Sequence, residues 1–317
     1  MRSPRRLQVI ALFALLSLTI TQVTSPSPAL ADFGPETGTV EVNTDELPLY
    51  YELWRARDPD VGRKPIVFLG GLITDTREDW RAFALALSKD RDVLLVDLRG
   101  VGKTGEGPTA GNYTLAQLNV DVQQLIDEIW QGDPDQQPVI VGCSDRGKIA
   151  LQVGLTAAQR ISGVITCGTS PGGGIQQTGP ALEKRNTLLT EGKWILRSRE
   201  YVATIASSAW RLPLSVRLWQ FNLFTKFGSI EGVKRYENIL SNTVGGVQFV
   251  SDPTLVLHGS SDAVYLPATG PALAAQVGAN ASFQSMSGPH AFWLTDPWAF
   301  TRVIEDWVRA NVDTAAP

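Results

Sequence analysis

Short apolar runs rich in β-branched residues recur along the chain, separated by stretches in which apolar residues return every three or four positions. The first pattern reads as buried strands and the second as amphipathic helices. Strands are expected at Thr39–Val42, Leu49–Arg55, Pro65–Leu69, Val93–Asp97, Pro138–Gly142, Ile161–Cys167, Pro253–His258 and Ala281–Met286, and helices at Trp80–Ser88, Leu115–Trp130, Lys148–Leu155 and Trp298–Asn311. This alternation predicts an α/β fold, a mostly parallel eight-stranded sheet with helices on both faces. From Pro171 to about Asp252 the alternation breaks. That interval opens on Gly172-Gly173-Gly174 and then carries Trp194, Trp210 and Trp219 on helical patterns. It reads as a helical cap, residues 171–252, hinged at its glycines and inserted between two parts of a core at 32–170 and 253–317.

The N-terminal segment follows neither pattern. Arg2, Arg5 and Arg6 precede an apolar run from Val9 to Ile20, too short to span a bilayer, and Ala29-Leu30-Ala31 supplies a small-x-small cleavage signal. Residues 1–31 are expected to be a secretory signal peptide, which makes the mature protein secreted or periplasmic and leaves no stable membrane span after its removal. With 28 basic against 32 acidic residues the chain is mildly acidic, and nothing in it suggests a nucleic-acid binder. The two cysteines, Cys143 and Cys167, fall near strand ends expected to be neighbours, so an oxidising compartment permits a disulfide without requiring one; two small buried residues are the alternative. Asn112-Tyr-Thr and Asn280-Ala-Ser are glycosylation acceptors in a host that glycosylates exported proteins. Nothing implies a metal or an organic cofactor.

The chemistry gathers at the expected strand ends. A hydrolytic serine needs a base within hydrogen-bond reach and donors aimed at the developing oxyanion. In Pro138-Val-Ile-Val-Gly-Cys-Ser144-Asp-Arg-Gly147 a serine stands where a buried strand turns sharply into a helix, and the backbone N–H of Asp145 opens that helix. One of the two histidines, His290, lies in Ser287-Gly-Pro-His290-Ala-Phe, after the last strand and before the last helix, where it can reach back over the sheet. Asp262, in His258-Gly-Ser-Ser-Asp262-Ala-Val, follows a strongly apolar strand and shares the same carboxyl edge, where ligand sites of such sheets lie. His258, at the strand end itself, reads as structural.

Several blocks resemble the α/β-hydrolase superfamily. Phe68-Leu-Gly-Gly-Leu72 resembles the oxyanion loop, with Gly70 where many members have histidine, and Asp97-Leu-Arg-Gly-Val-Gly-Lys-Thr104 resembles the family's Asp-x-Arg-Gly-x-Gly-x-Ser turn. Tyr113-Thr-Leu with Asp121-Val resembles the helix before the elbow strand, and the order Ser144, Asp262, His290 matches the family's triad. The resemblance implies a cap-bearing serine hydrolase cleaving an ester, amide, peptide or lactone, with a second oxyanion donor from the N–H of Leu72.

The elbow departs from the pattern, because Arg146 stands where the family places a glycine. Counting from Asp145 instead restores small residues on both sides and resembles the aspartate-nucleophile branch of dehalogenases and epoxide hydrolases, so Asp145 is an alternative nucleophile. Arg146 either turns outward or, with Gly71, lines the pocket and meets an anionic group of the substrate. A non-catalytic, ligand-binding role for the fold is a third reading. In the cap, basic residues such as Lys193, Arg197 and Arg211 alternate with Trp194, Trp210 and Phe221. They suit either ordinary helix packing or a lid that admits a small, hydrophobic substrate.

Overall fold

Alternate side chains of the central strands face opposite ways, and both faces are apolar. This is the pattern of a parallel sheet covered on both sides. The computed structural model of the chain describes residues 34–42, 47–58, 63–70, 77–105, 113–172, 179 and 242–313. The expected signal peptide, the interior of the expected cap, Asn112, and both Gly71 and Leu72 lie outside these residues.

From Glu36 onward, eight strands among the described residues make one sheet: β1 (Glu36–Val42), β2 (Leu47–Trp54), β3 (Ile66–Phe68), β4 (Val93–Val96), β5 (Val139–Cys143), β6 (Gly163–Cys167), β7 (Thr254–Gly259) and β8 (Ala281–Met286). Their spatial order is β1-β2-β4-β3-β5-β6-β7-β8. Pairing is antiparallel for β1 with β2 and for β2 with β4, and parallel from β4 to β8. The fifth, sixth and seventh strands of this order, β5, β6 and β7, are parallel neighbours, so their carboxyl ends lie side by side at one edge of the sheet.

Described helices are α1 (Arg81–Leu87), α2 (Leu115–Trp130), α3 (Arg146–Thr156), α4 (Thr269–Val277), α5 (Phe292–Thr295) and α6 (Pro297–Asn311). On one face Val67, Leu94, Ile140, Val164 and Val256 join Leu118, Val122 and Leu125 of α2, Ile149 and Val153 of α3, and Leu273 of α4. Across the sheet Phe68, Leu95, Val141, Ile165 and Leu257 join Phe83 and Leu87 of α1 and Phe300, Ile304 and Val308 of α6. Thr114 caps α2 by accepting from the Gln117 N–H, and Asp296 caps α6 by accepting from the Ala299 N–H. No helix among the described residues is long and apolar enough to cross a membrane.

Cys143 and Cys167 are register partners on β5 and β6 and are joined by a disulfide, one of the two possibilities their positions left open. The two ends of the 171–252 interval meet: the Val244 N–H donates to the Pro171 carbonyl at 2.7 Å, and Lys148 Nζ of α3 donates to the Asn242 carbonyl at 2.9 Å.

Candidate active site

β5 is buried throughout and stops at Cys143, after which the chain reverses into α3. Ser144 makes that reversal with φ at +56°, a conformation that costs a non-glycine residue roughly 1–2 kcal/mol and throws its side chain out of the sheet edge. Its N–H is held by the Cys167 carbonyl at 2.7 Å. Two glycines make the turn possible. A Cβ on Gly142 would fall 2.3 Å from the Arg146 carbonyl oxygen, and one on Gly147 would fall 1.9 Å from Thr169 Oγ1. The tight approach therefore comes at 147, against Thr169, two residues after β6, and the usual glycine position at 146 is left able to carry a side chain.

At the tip of this elbow Ser144 Oγ lies 2.8 Å from Nε2 of His290, whose Nδ1 lies 2.8 Å from Oδ2 of Asp262. All three residues are buried. The aspartate is fixed through its other oxygen, since Oδ1 accepts the N–H groups of Val264 at 2.8 Å and Tyr265 at 3.0 Å. Because Oδ2 needs a donor, His290 carries its proton on Nδ1 and turns the Nε2 lone pair toward the serine hydroxyl. Burial pushes the Asp262 carboxyl up, but the charge and hydrogen bonds of His290 and His258 outweigh it and hold it well below the usual carboxylate range. The two loops are tied together, Ser260 N–H to the Met286 carbonyl and Ser261 N–H to the Gly288 carbonyl. Gly168, at φ +56°, makes room, since a Cβ there would sit 3.3 Å from His290 Nδ1 and 3.4 Å from Asp262 Oδ2.

Of the two readings of the elbow, the residue at the strained turn and on His290 is Ser144. Asp145 follows in helical conformation as the N-terminal cap residue of α3, without a side-chain capping bond. Arg146 does not turn outward. It is 1 % exposed, and its Cδ and Nε lie 3.4 Å from where a Cβ on Gly70 would be. The two departures from the family pattern thus explain each other, because the bare Gly70 leaves the space the arginine stem fills. Gly71 and Leu72, the other loop candidates, are outside the described residues.

Sequence reasoning missed the aromatic wall. Trp293 and Tyr265 meet the His290 ring edge-on at 5.9 Å each, Trp80 stacks on Trp293 at 6.1 Å, and Phe68 stacks on Trp80 at 5.4 Å. Such a surround lowers the local dielectric and strengthens the charge interactions inside it. The signal available was Trp293, three residues beyond His290.

The Asp97 turn, just after β4, is a scaffold. Asp97 accepts the N–H groups of Arg77 and Lys103 at 2.8 Å each and also a guanidinium hydrogen bond of Arg77, while Arg99 grips Asp121 of α2 through two bonds at 2.9 and 3.0 Å. Burial pushes the Asp97 carboxyl up despite these donors.

The chain resembles proteins of known structure in the same terms. A family model described as the α/β hydrolase fold matches residues 64–185. No curated protein sequence matches the chain. Solved structures similar to it include a hydrolase from Pseudomonas aeruginosa, at TM-score 0.71 and 22 % identity, covering 86 % of this chain and 98 % of that one. An esterase from Rhodococcus gives 0.71 at 17 % identity, covering 88 % and 99 %. The enol-lactonase from Burkholderia xenovorans gives 0.70 at 22 % identity, covering 86 % and 99 %. With the sheet order, the serine elbow between β5 and α3, and these likenesses together, the chain is a protein of the α/β-hydrolase fold.

Proposed function

We propose that this chain is an exported serine hydrolase that cleaves a carboxylic ester, lactones included, through an acyl-enzyme intermediate. The observation that carries the reading is the unbroken chain of 2.8 Å contacts from Ser144 Oγ through His290 to Asp262. As Ser144 attacks the substrate carbonyl, His290 Nε2 takes its proton, and the imidazolium so formed is stabilised by Asp262. The same proton then goes to the leaving alkoxide. Water, deprotonated by His290 in turn, releases the acid and restores the serine. The N–H groups of Asp145 and Leu72 are the proposed oxyanion donors, the first at the positive end of α3. The likeness to an esterase and an enol-lactonase supports the ester class.

Treatment with a fluorophosphonate should label the protein and abolish hydrolysis of an activated ester such as p-nitrophenyl acetate, and Ser144→Ala should neither take the label nor hydrolyse the ester. Labelling that persists in Ser144→Ala sinks the proposal. Halide or diol release lost in Asp145→Asn but kept in Ser144→Ala would establish the aspartate alternative instead, and a ligand bound without turnover would establish a binding role.

A further inference from the structure

The triad uses one imidazole, yet its aspartate faces two. His258, the penultimate residue of β7, is buried, and its Nε2 lies 3.2 Å from Asp262 Oδ2, the same oxygen that accepts His290 Nδ1 at 2.8 Å. That nitrogen also lies 3.1 Å from the Tyr265 carbonyl oxygen. Both neighbours can only accept, so His258 carries its proton on Nε2, and one N–H is shared between a carbonyl and the catalytic carboxylate. Tyr265 closes a ring: its N–H donates to Asp262 Oδ1, and its carbonyl accepts from His258. Every edge of the Asp262 carboxylate then has a donor, two backbone N–H groups on Oδ1 and two imidazoles on Oδ2.

The position of His258 is itself over-determined. Helix α4 crosses it so closely that a Cβ on Gly270 would fall 2.6 Å from its Cβ and 2.9 Å from its Cγ. The ring is therefore held against the acid by the fold, and a side chain at 270 would displace it. An orienting carboxylate works by geometry: it must present one oxygen to Nδ1 along a fixed direction so that Nε2 stays aimed at the serine. A donor on the same oxygen, anchored within β7 ahead of the loop that carries Asp262, removes the remaining freedom of the carboxylate to rotate.

We infer that His258 is a positioning residue of the reaction, acting through Asp262 to hold His290 in line with Ser144. The inference rests on the serine-hydrolase reading of the site. It goes beyond a packing role at a strand end, because it requires the N–H and not merely the volume of the ring.

The test compares His258→Leu with His258→Gln in hydrolysis of p-nitrophenyl acetate, with Ser144→Ala as the control. Leucine fills space without a donor, whereas the glutamine amide N–H reaches the place of Nε2. Loss of one charge-assisted hydrogen bond is expected to lower kcat of His258→Leu about tenfold with KM unchanged. Glutamine should restore most of the rate, a rescue that volume alone does not provide. Should His258→Leu show no cooperative melt, His258→Asn takes its place, since its shorter amide stops short of Oδ2 and is expected to be slow while staying folded. Equal kcat in the wild type and the donor-free variant, equal loss in the glutamine and donor-free variants, or a rise in KM at constant kcat would each overturn the role. Turnover surviving in Ser144→Ala would instead overturn the serine reading, and the role of His258 with it. A silent Ser144→Ala beside a fully active His258→Leu overturns the role of His258 alone.

Discussion

An asparagine at 262 would differ from the native residue by one polar atom, yet the geometry gives that atom no choice. Oδ1 is fixed by the N–H groups of Val264 and Tyr265, so asparagine must keep its carbonyl there and turn its NH2 toward His290. Imidazole Nδ1 would then accept, the ring proton would move to Nε2, and that nitrogen could no longer take a proton from Ser144. The expected result for Asp262→Asn is a loss in kcat on the order of 10⁴-fold in a protein that still folds but melts at a lower temperature, because the amide N–H now opposes the His258 N–H. Steady-state kinetics beside a thermal melt checks it, and a loss of only a few-fold would mean that His290 does not depend on this carboxylate. The grouping of Ser144, Asp262 and His290 was legible in the sequence because Ser144 and Asp262 each follow a buried apolar strand, His290 stands between the last strand and the last helix, and the three fall in a known order. The burial of Arg146 was not, since its explanation is the missing side chain of Gly70, a contact between strand ends far apart in the chain.

The elements were legible for a related reason. Strands buried on both faces spell continuous β-branched runs, and all eight expected strands exist, with Ala281–Met286 and the helix Leu115–Trp130 at the expected bounds. Helices α4 and α5 were overlooked. Thr269–Val277 contains Gly270-Pro271, which reads locally as a turn, but proline is tolerated in a first helical turn and the glycine is demanded by contact with His258. Helix α3 starts two residues earlier than its apolar period suggests, because Arg146 and Gly147 answer to the elbow rather than to the core. This makes Gly147 a sharp test of how the elbow is built. Gly147→Ala pushes a Cβ into Thr169, whose hydroxyl donates to the Ser144 carbonyl at 3.0 Å, and should cost about 3 kcal/mol by overpacking. Adding Thr169→Gly removes the obstacle and should return much of that loss, as a double-mutant cycle in denaturant would read. Simple additivity of the two changes would show that the crowding lies elsewhere.

At the scale of the molecule, the apolar layers on the two faces of the sheet hold the site rigid. The Cys143–Cys167 disulfide ties the strand behind Ser144 to the strand behind Gly168. The electrostatics of the fold are mostly arranged in pairs, and Asp252 is an exception. It stands just before β7, half-buried, with Oδ2 lacking a hydrogen-bond partner among the described residues. Burial pushes its carboxyl up from 3.8 to about 6. A carboxyl that binds its proton more tightly when folded favours folding at low pH, and that contribution is lost as pH rises from 3.8 toward about 6. Above that range the native protein carries an ill-solvated charge that the unfolded chain does not. Asp252→Asn should therefore raise stability by about 1 kcal/mol near pH 8, allowing for the solvent that reaches the carboxyl, and by little near pH 4. Urea melts of the two proteins at both pH values measure the difference. A gain of the same size at both would trace it to the amide's hydrogen bonds, and no gain near pH 8 would mean that the carboxylate finds full solvation in the folded state.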